Sequence, residues 1–239
     1  VLENKDNLKN LSESEFYTRN TKATSLMVLT KEDLFDNNLE STDDTLKAIL
    51  KDQEFEMHLK SKISNKDIES IVTDSSIGTI FFPVEDGMSK SKIKSLINIS
   101  NKSKTPILFS KSTYPYKTIG ILLNDDFGES TSNSIAFDLA SSLSASLTAV
   151  NVSQPKFLQS EESSKVSDSI EKLQDLALSH EVQLDLENQE GNEAKIFSEL
   201  SSNFDLSIIG AGTSQSWQSR KTIEFISSNS KSSVLYIPS

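Results

Sequence analysis

Short, dense apolar runs alternate along the chain with segments whose apolar residues recur every three or four positions. The clearest stretch begins at Thr118 to Leu123 (TIGILL), a continuous apolar run of the kind that suits a strand buried on both faces of a parallel sheet. Ile135, Ala136, Leu139, Ala140, Leu143 and Ala145 follow at helical spacing, and Leu147 to Val152 (LTAVNV) reads as a second strand. A helix carrying Val166, Ile170, Leu173, Leu176 and Ala177 precedes a weaker alternating strand at Val182, Leu184 and Leu186. A helix with Ile196, Phe197 and Leu200 leads to the strand Phe204 to Ile209, which ends at Gly210-Ala211-Gly212. One more helix near Ile223 to Ile226 precedes the last strand, Val234 to Ile237. Five strands thus alternate with four helices. Crossovers this long cannot be hairpins, so the pattern predicts an α/β fold with a doubly wound parallel sheet and helices on both faces.

The first half repeats this rhythm. Ser25 to Leu29 matches the second strand, Phe55 to Leu59 the third, Thr79 to Phe82 the fourth and Pro106 to Phe109 the fifth. Third and fourth strand centres lie about 23 residues apart in both halves (Met57 to Ile80, Leu184 to Ser207). Helical segments at Leu46 to Leu50, Ile68 to Val72 and Ile93 to Ile97 fill the gaps. A repeat this long is a domain rather than a solenoid unit, which divides the chain into 1–112 and 113–239. No counterpart of the first strand is found in the first half, whose place for it falls at or before Val1.

Composition narrows the function. With 24 Lys and Arg against 35 Asp and Glu, the net charge is −11 and the bases are scattered among acids, which argues against a nucleic-acid groove. There is no cysteine, so disulfides, thiolate metal sites and a cysteine nucleophile are out, and a reducing cytoplasm fits. Two histidines far apart in sequence, His58 and His180, speak against an imidazole metal site or a His-centred relay. No stretch approaches the roughly 20 apolar residues of a membrane helix. No nucleophile elbow, complete phosphate-binding loop or zinc-protease signature is present, so no catalytic residue and no metal ligand is assigned.

Residues 117–239 resemble a universal stress protein domain throughout, and residues 21–111 resemble one more weakly. The resemblance rests on the opening strand, helix and strand from Ile119 to Val152, on Asp205-Leu206-Ser207-Ile208-Ile209-Gly210, and on Ser233-Val234-Leu235-Tyr236-Ile237-Pro238. It implies two Rossmann-like domains in tandem, joined as a pseudo-dimer, with any nucleotide at the carboxyl ends of the strands. Nucleotide-binding members place an acid after the first strand and a Gly-x2-Gly-x9-Gly-Ser or Gly-Thr loop around the phosphates. Glycines there let backbone N–H groups approach phosphate oxygens at a helix N-terminus. Here Asp125 or Asp126 follows the first strand, Val152 ends the second, and Gly210 matches the first glycine. Thr213 stands where the second glycine belongs, with Gly212 displaced by one. Counting forward puts Ile223-Glu224 at the Gly-Ser position, and counting backward puts Arg220-Lys221 there. A carboxylate would repel phosphate; an Arg-Lys pair would still hold it. In the first half, Glu85 and Asp86 put negative charge at the loop, so ATP or AMP is expected in the second half only, and none is required.

The same residues have plainer uses: Asp125 and Asp126 as turn formers or caps, Gly210 and Gly212 for a tight turn, and Ser130, Thr131 and Ser132 as helix caps. A retained core pattern with an eroded phosphate loop points to a non-enzymatic cytoplasmic regulatory or interaction module. By resemblance, such tandem domains also form cytoplasmic tails of cation/proton antiporters and related transporters, which implies an upstream membrane domain as partner and a place at the inner face of the membrane. A homodimer is a further expected partner. The alternative is a soluble adenine-nucleotide stress sensor with at most slow ATP hydrolysis.

Overall fold

The computed structural model describes residues 5–21, 25–27, 65–74, 77–84, 90–123, 131–153, 163–211 and 217–238. In chain order the elements are α1 (Lys5–Thr21), β1 (Ser25–Met27), α2 (Asn65–Asp74), β2 (Thr79–Pro83), α3 (Lys90–Ser103) and β3 (Ile107–Ser110). The second half holds β4 (Thr118–Leu122), α4 (Thr131–Leu143), β5 (Ser146–Ser153), α5 (Ser163–Ser179) and β6 (Leu184–Glu190). It continues with α6 (Glu193–Leu200), a 3₁₀ turn (Ser201–Asn203), β7 (Leu206–Gly210), α7 (Trp217–Asn229) and β8 (Ser233–Ile237). The expected five strands and four helices of the second half are all present, as are the helices expected around Ile68 and Ile93.

Among the described residues the strands form one sheet in the order β1-β2-β3-β8-β7-β4-β5-β6. Every neighbouring pair is parallel except β3 and β8, which run antiparallel with Leu108 opposite Leu235. That pair joins the two halves edge to edge and removes an exposed edge from each. Strand residues alternate between two cores, as a pleated sheet requires. Ile119, Ile121, Leu206, Ile208 and Leu235 face the helices α1, α4 and α5. Ile80, Phe82, Ile107, Leu122, Ile209 and Tyr236 face α2, α3, α6 and α7.

One sequence expectation is corrected. The repeat matches Ser25 to Leu29 to a second strand, yet Ser25–Met27 lies in register with Thr79–Phe81 directly beside β2, the place that β4 holds beside β7. Spacing along a chain measures the distance between elements but not their lateral order, and an unpaired β2 edge would leave backbone groups without partners. The strand expected at Phe55 to Leu59, the helix at Leu46 to Leu50, and Glu85 and Asp86 lie outside the described residues.

α1 is an element that periodicity does not reveal. Among its described side chains, those of residues 12–21, the buried ones are Glu13, Ser14, Tyr17 and Thr18, a stretch of one helical face made mostly of polar side chains. An apolar stripe is the signal sequence reading relies on, and this face lacks one.

Candidate functional site

In a doubly wound sheet, a ligand crevice opens outside the strands' carboxyl ends where the chain leaves neighbouring strands toward opposite faces. Here that point lies between β4 and β7, because α4 packs on the face of Ile121 and α7 on the face of Ile209. β7 ends at Gly210, in register with Ile237, and the next residue extends the ladder: Ala211 N–H donates to Ile237 O at 2.9 Å. A Cβ on Gly210 would stand 2.5 Å from Ser132 Oγ and 3.0 Å from Ser132 Cβ. The first turn of α4 thus approaches Gly210 closely, and any larger residue there would have to displace the Ser132 side chain. Ser132 and Asn133 in that turn are both buried.

The other expected site residues spread out from this point. Val152, half-buried near the end of β5, pairs with Gln189 and packs on the core that faces α6. Arg220 and Lys221 are exposed near the start of α7. Burial pushes the Tyr236 phenol up to about 12, against the pull of the positive charge of Arg220, and its OH donates to Asn101 Oδ1 (2.6 Å). The Tyr236–Asn101 bond ties β8 to α3 of the other half. Gly210 and Ser132 are brought together, whereas Val152 lies two strands from Gly210 in the sheet order. Asp125, Asp126, Gly212 and Thr213 lie outside the described residues, as does His58. Among the described residues no three His, Asp or Glu side chains converge to hold a metal ion.

Two carboxylates that sequence reasoning did not single out organise the opposite end of β4 and the joint. Asp205 Oδ2 accepts from the backbone N–H of Lys117 (2.8 Å) and Thr118 (2.9 Å) and from Thr118 Oγ1 (3.0 Å). The Asp205 N–H in turn donates to Thr118 O at 2.8 Å, and Asp205 O accepts from Thr113 Oγ1 at 2.5 Å. The residue thereby ties the starts of β4 and β7 to the segment joining the halves. Asp205→Ala is expected to lower the urea midpoint by an amount equivalent to about 1–3 kcal/mol, with the denaturant slope unchanged, because two backbone donors lose a charged acceptor.

Glu13 of α1 is fully buried at the joint. Its Oε2 accepts from Ser110 Oγ and from the Ser112 N–H (2.8 Å), and its Oε1 from Tyr116 OH (2.7 Å) and Ser233 Oγ (2.5 Å). A glutamate on a polar helix gives no sequence signal for this role, since its four donors lie about 100 to 220 positions away.

No family model matches the chain, and no curated protein matches it in sequence. Solved structures do match in shape. A universal stress protein from Archaeoglobus fulgidus superposes with a TM-score of 0.63 at 12% identity, covering 100% of this chain and 94% of that one. A putative universal stress protein from Pseudomonas aeruginosa gives 0.62 at 14% identity, with 95% and 87% covered. The cytoplasmic domain of a prokaryotic cation chloride cotransporter gives 0.58 at 14% identity, with 98% and 92% covered. The class that the sheet defines is a doubly wound α/β protein with its crevice at the β4–β7 switch point. Its particular form is the tandem universal stress protein fold, matched along the whole chain; at these identities the likeness is one of fold. Among the described residues no helix is long and apolar enough to cross a membrane.

Proposed function

We propose that the chain is a non-enzymatic cytoplasmic module of the universal stress protein type, with domains 1–112 and 113–239, that regulates or docks onto a partner instead of turning over nucleotide. The observation that carries this reading is the contact of Ser132 with Gly210: the first turn of α4 rests on the one glycine that matches a phosphate-loop position. The eroded loop sequence supports it, because backbone N–H groups cannot cradle phosphates where side chains replace the glycines.

A calorimetric and thermal-shift titration with ATP, ADP and AMP, with and without magnesium, tests the reading. A flat response is expected for all three. A ligand at a hundredfold excess over its Kd would stabilise the fold by about 2.7 kcal/mol. A saturable shift abolished by Asp125→Ala or Asp126→Ala would overturn the reading in favour of an adenine-nucleotide sensor in the second half.

We further propose that the module serves as the cytoplasmic regulatory region of a membrane transporter of the cation/proton antiporter kind. The full-length likeness in fold to a cotransporter's cytoplasmic domain supports this placement. The mass of the native polypeptide tests it: a membrane-embedded portion continuous with this module is expected, and a freely soluble native protein of the same length as this chain would overturn it.

A further inference from the structure

The acceptor at the joint belongs to one element and the donors to others. Ser110 ends β3, Ser112 and Tyr116 lie in the segment joining the halves, and Ser233 begins β8, whereas Glu13 arrives from α1. The donors are arranged in two pairs, one on each carboxylate oxygen, a geometry that fits a planar two-oxygen anion and not a spherical one. Their direction is fixed. The Ser112 N–H can only donate, and it is aimed by a backbone φ of 61°, an uncommon left-handed conformation for a residue with a side chain. Ser233 Oγ accepts from the Lys111 N–H (2.8 Å), which leaves its own hydrogen for Glu13. Burial first, and then the neighbouring Glu13 charge, holds the Tyr116 phenol well above its ordinary range, so it stays a donor. Lys111 Nζ donates to Ser230 O.

Among the described side chains of α1, the apolar contacts come from two residues. Phe16 meets Tyr114 and Tyr116 at ring separations of 5.8 and 5.4 Å, and Tyr17 is buried, but Ser14 and Thr18 fill the remaining inward positions. Beneath the helix lie Phe81, Leu108 and Leu235, on the two sides of the joint.

We propose that the joint is a carboxylate-binding cradle made by Ser110, Ser112, Tyr116 and Ser233, and that α1 is its tethered ligand, a releasable strap held through Glu13. All four donors lie outside α1, so a small free carboxylate fits the space left beneath the docked helix once the Glu13 side chain is removed, and favours the closed form.

The test uses the full chain with Glu13→Ala, and sodium formate as probe against sodium chloride at equal ionic strength. Trypsin cleavage after Arg19, on the exposed side of α1, reports release of the strap, and the melting temperature reports occupancy of the cradle. Cleavage of the variant is expected to be about tenfold faster than that of the unaltered chain or more, since it follows the population of the open form. Formate is expected to slow it saturably and raise the melting temperature, while chloride and neutral formamide do neither. Formate acting no better than chloride would overturn the cradle, and cleavage unchanged in Glu13→Ala would overturn the strap. Should Glu13→Ala fail to fold, its refolding in formate but not in chloride supports the proposal. Glu13→Gln then carries the test of the strap: it fills the space but presents an amide donor to donors, and cleavage no faster than in the unaltered chain would overturn it.

Discussion

Glu13→Ala lowers the stability of the chain by about 3 kcal/mol, a drop in melting temperature on the order of 10 °C for a protein of this size. The expectation rests on asymmetry. Hydrogen bonds to a buried carboxylate contribute modestly while they are made, but the variant leaves the donors of Ser112 and Tyr116 buried beside a void without a charged acceptor. Hydroxyls can turn toward other oxygens, and the backbone N–H cannot, so part of the loss is irreducible. Differential scanning calorimetry of Glu13→Ala, Tyr116→Phe and the double variant checks it. A coupling energy of about 1 kcal/mol or more is expected between the two positions, since once the carboxylate is gone the phenol has no partner to lose. Strict additivity would mean that the pair does not act as a unit.

The second large effect is expected at Gly120, in the middle of β4. A Cβ there would overlap the ring of Phe204, standing 2.8 Å from its Cγ with two further ring atoms closer still. Gly120→Ala must therefore push the ring off the sheet and away from Phe197, whose ring centroid lies 6.3 Å from it. Displacing a packed aromatic ring costs about 2–3 kcal/mol, and the better strand propensity of alanine returns less than 1 kcal/mol of that. Urea unfolding is expected to show a net loss of about 1–2 kcal/mol. The diagnostic comparison is with Phe204→Ala: on that background Gly120→Ala should be neutral or stabilising, because the clash has been removed and only the propensity gain remains. A loss of the same size on both backgrounds would place its cause elsewhere than in the ring.

These two positions show where sequence reading reached and where it stopped. The strand containing Gly120 was legible because TIGILL is a buried run, and the alternation of runs and helical segments was enough to place β4, α4, β5, α5, β6, α6, β7, α7 and β8 in order. Nothing in that run marks Gly120 as the floor for a ring from Phe204, since the contact joins residues on separate strands' approaches. At the candidate crevice the match of Gly210 to a loop glycine is readable, whereas Ser132 reads from the sequence as a hydrogen-bond donor or a helix cap and not as the neighbour of Gly210.

Fold class and the order of elements in the second half are legible in the sequence, because hydrophobic periodicity is local and buried strands and amphipathic helices write it directly into the chain. Tertiary structure alone decided the lateral order that sets Ser25–Met27 beside β2, the antiparallel β3–β8 joint, and the burial of Glu13 among four donors. Each of these depends on which backbone edges and polar groups remain unsatisfied once the sheet is assembled, a property of the whole molecule that no single segment carries.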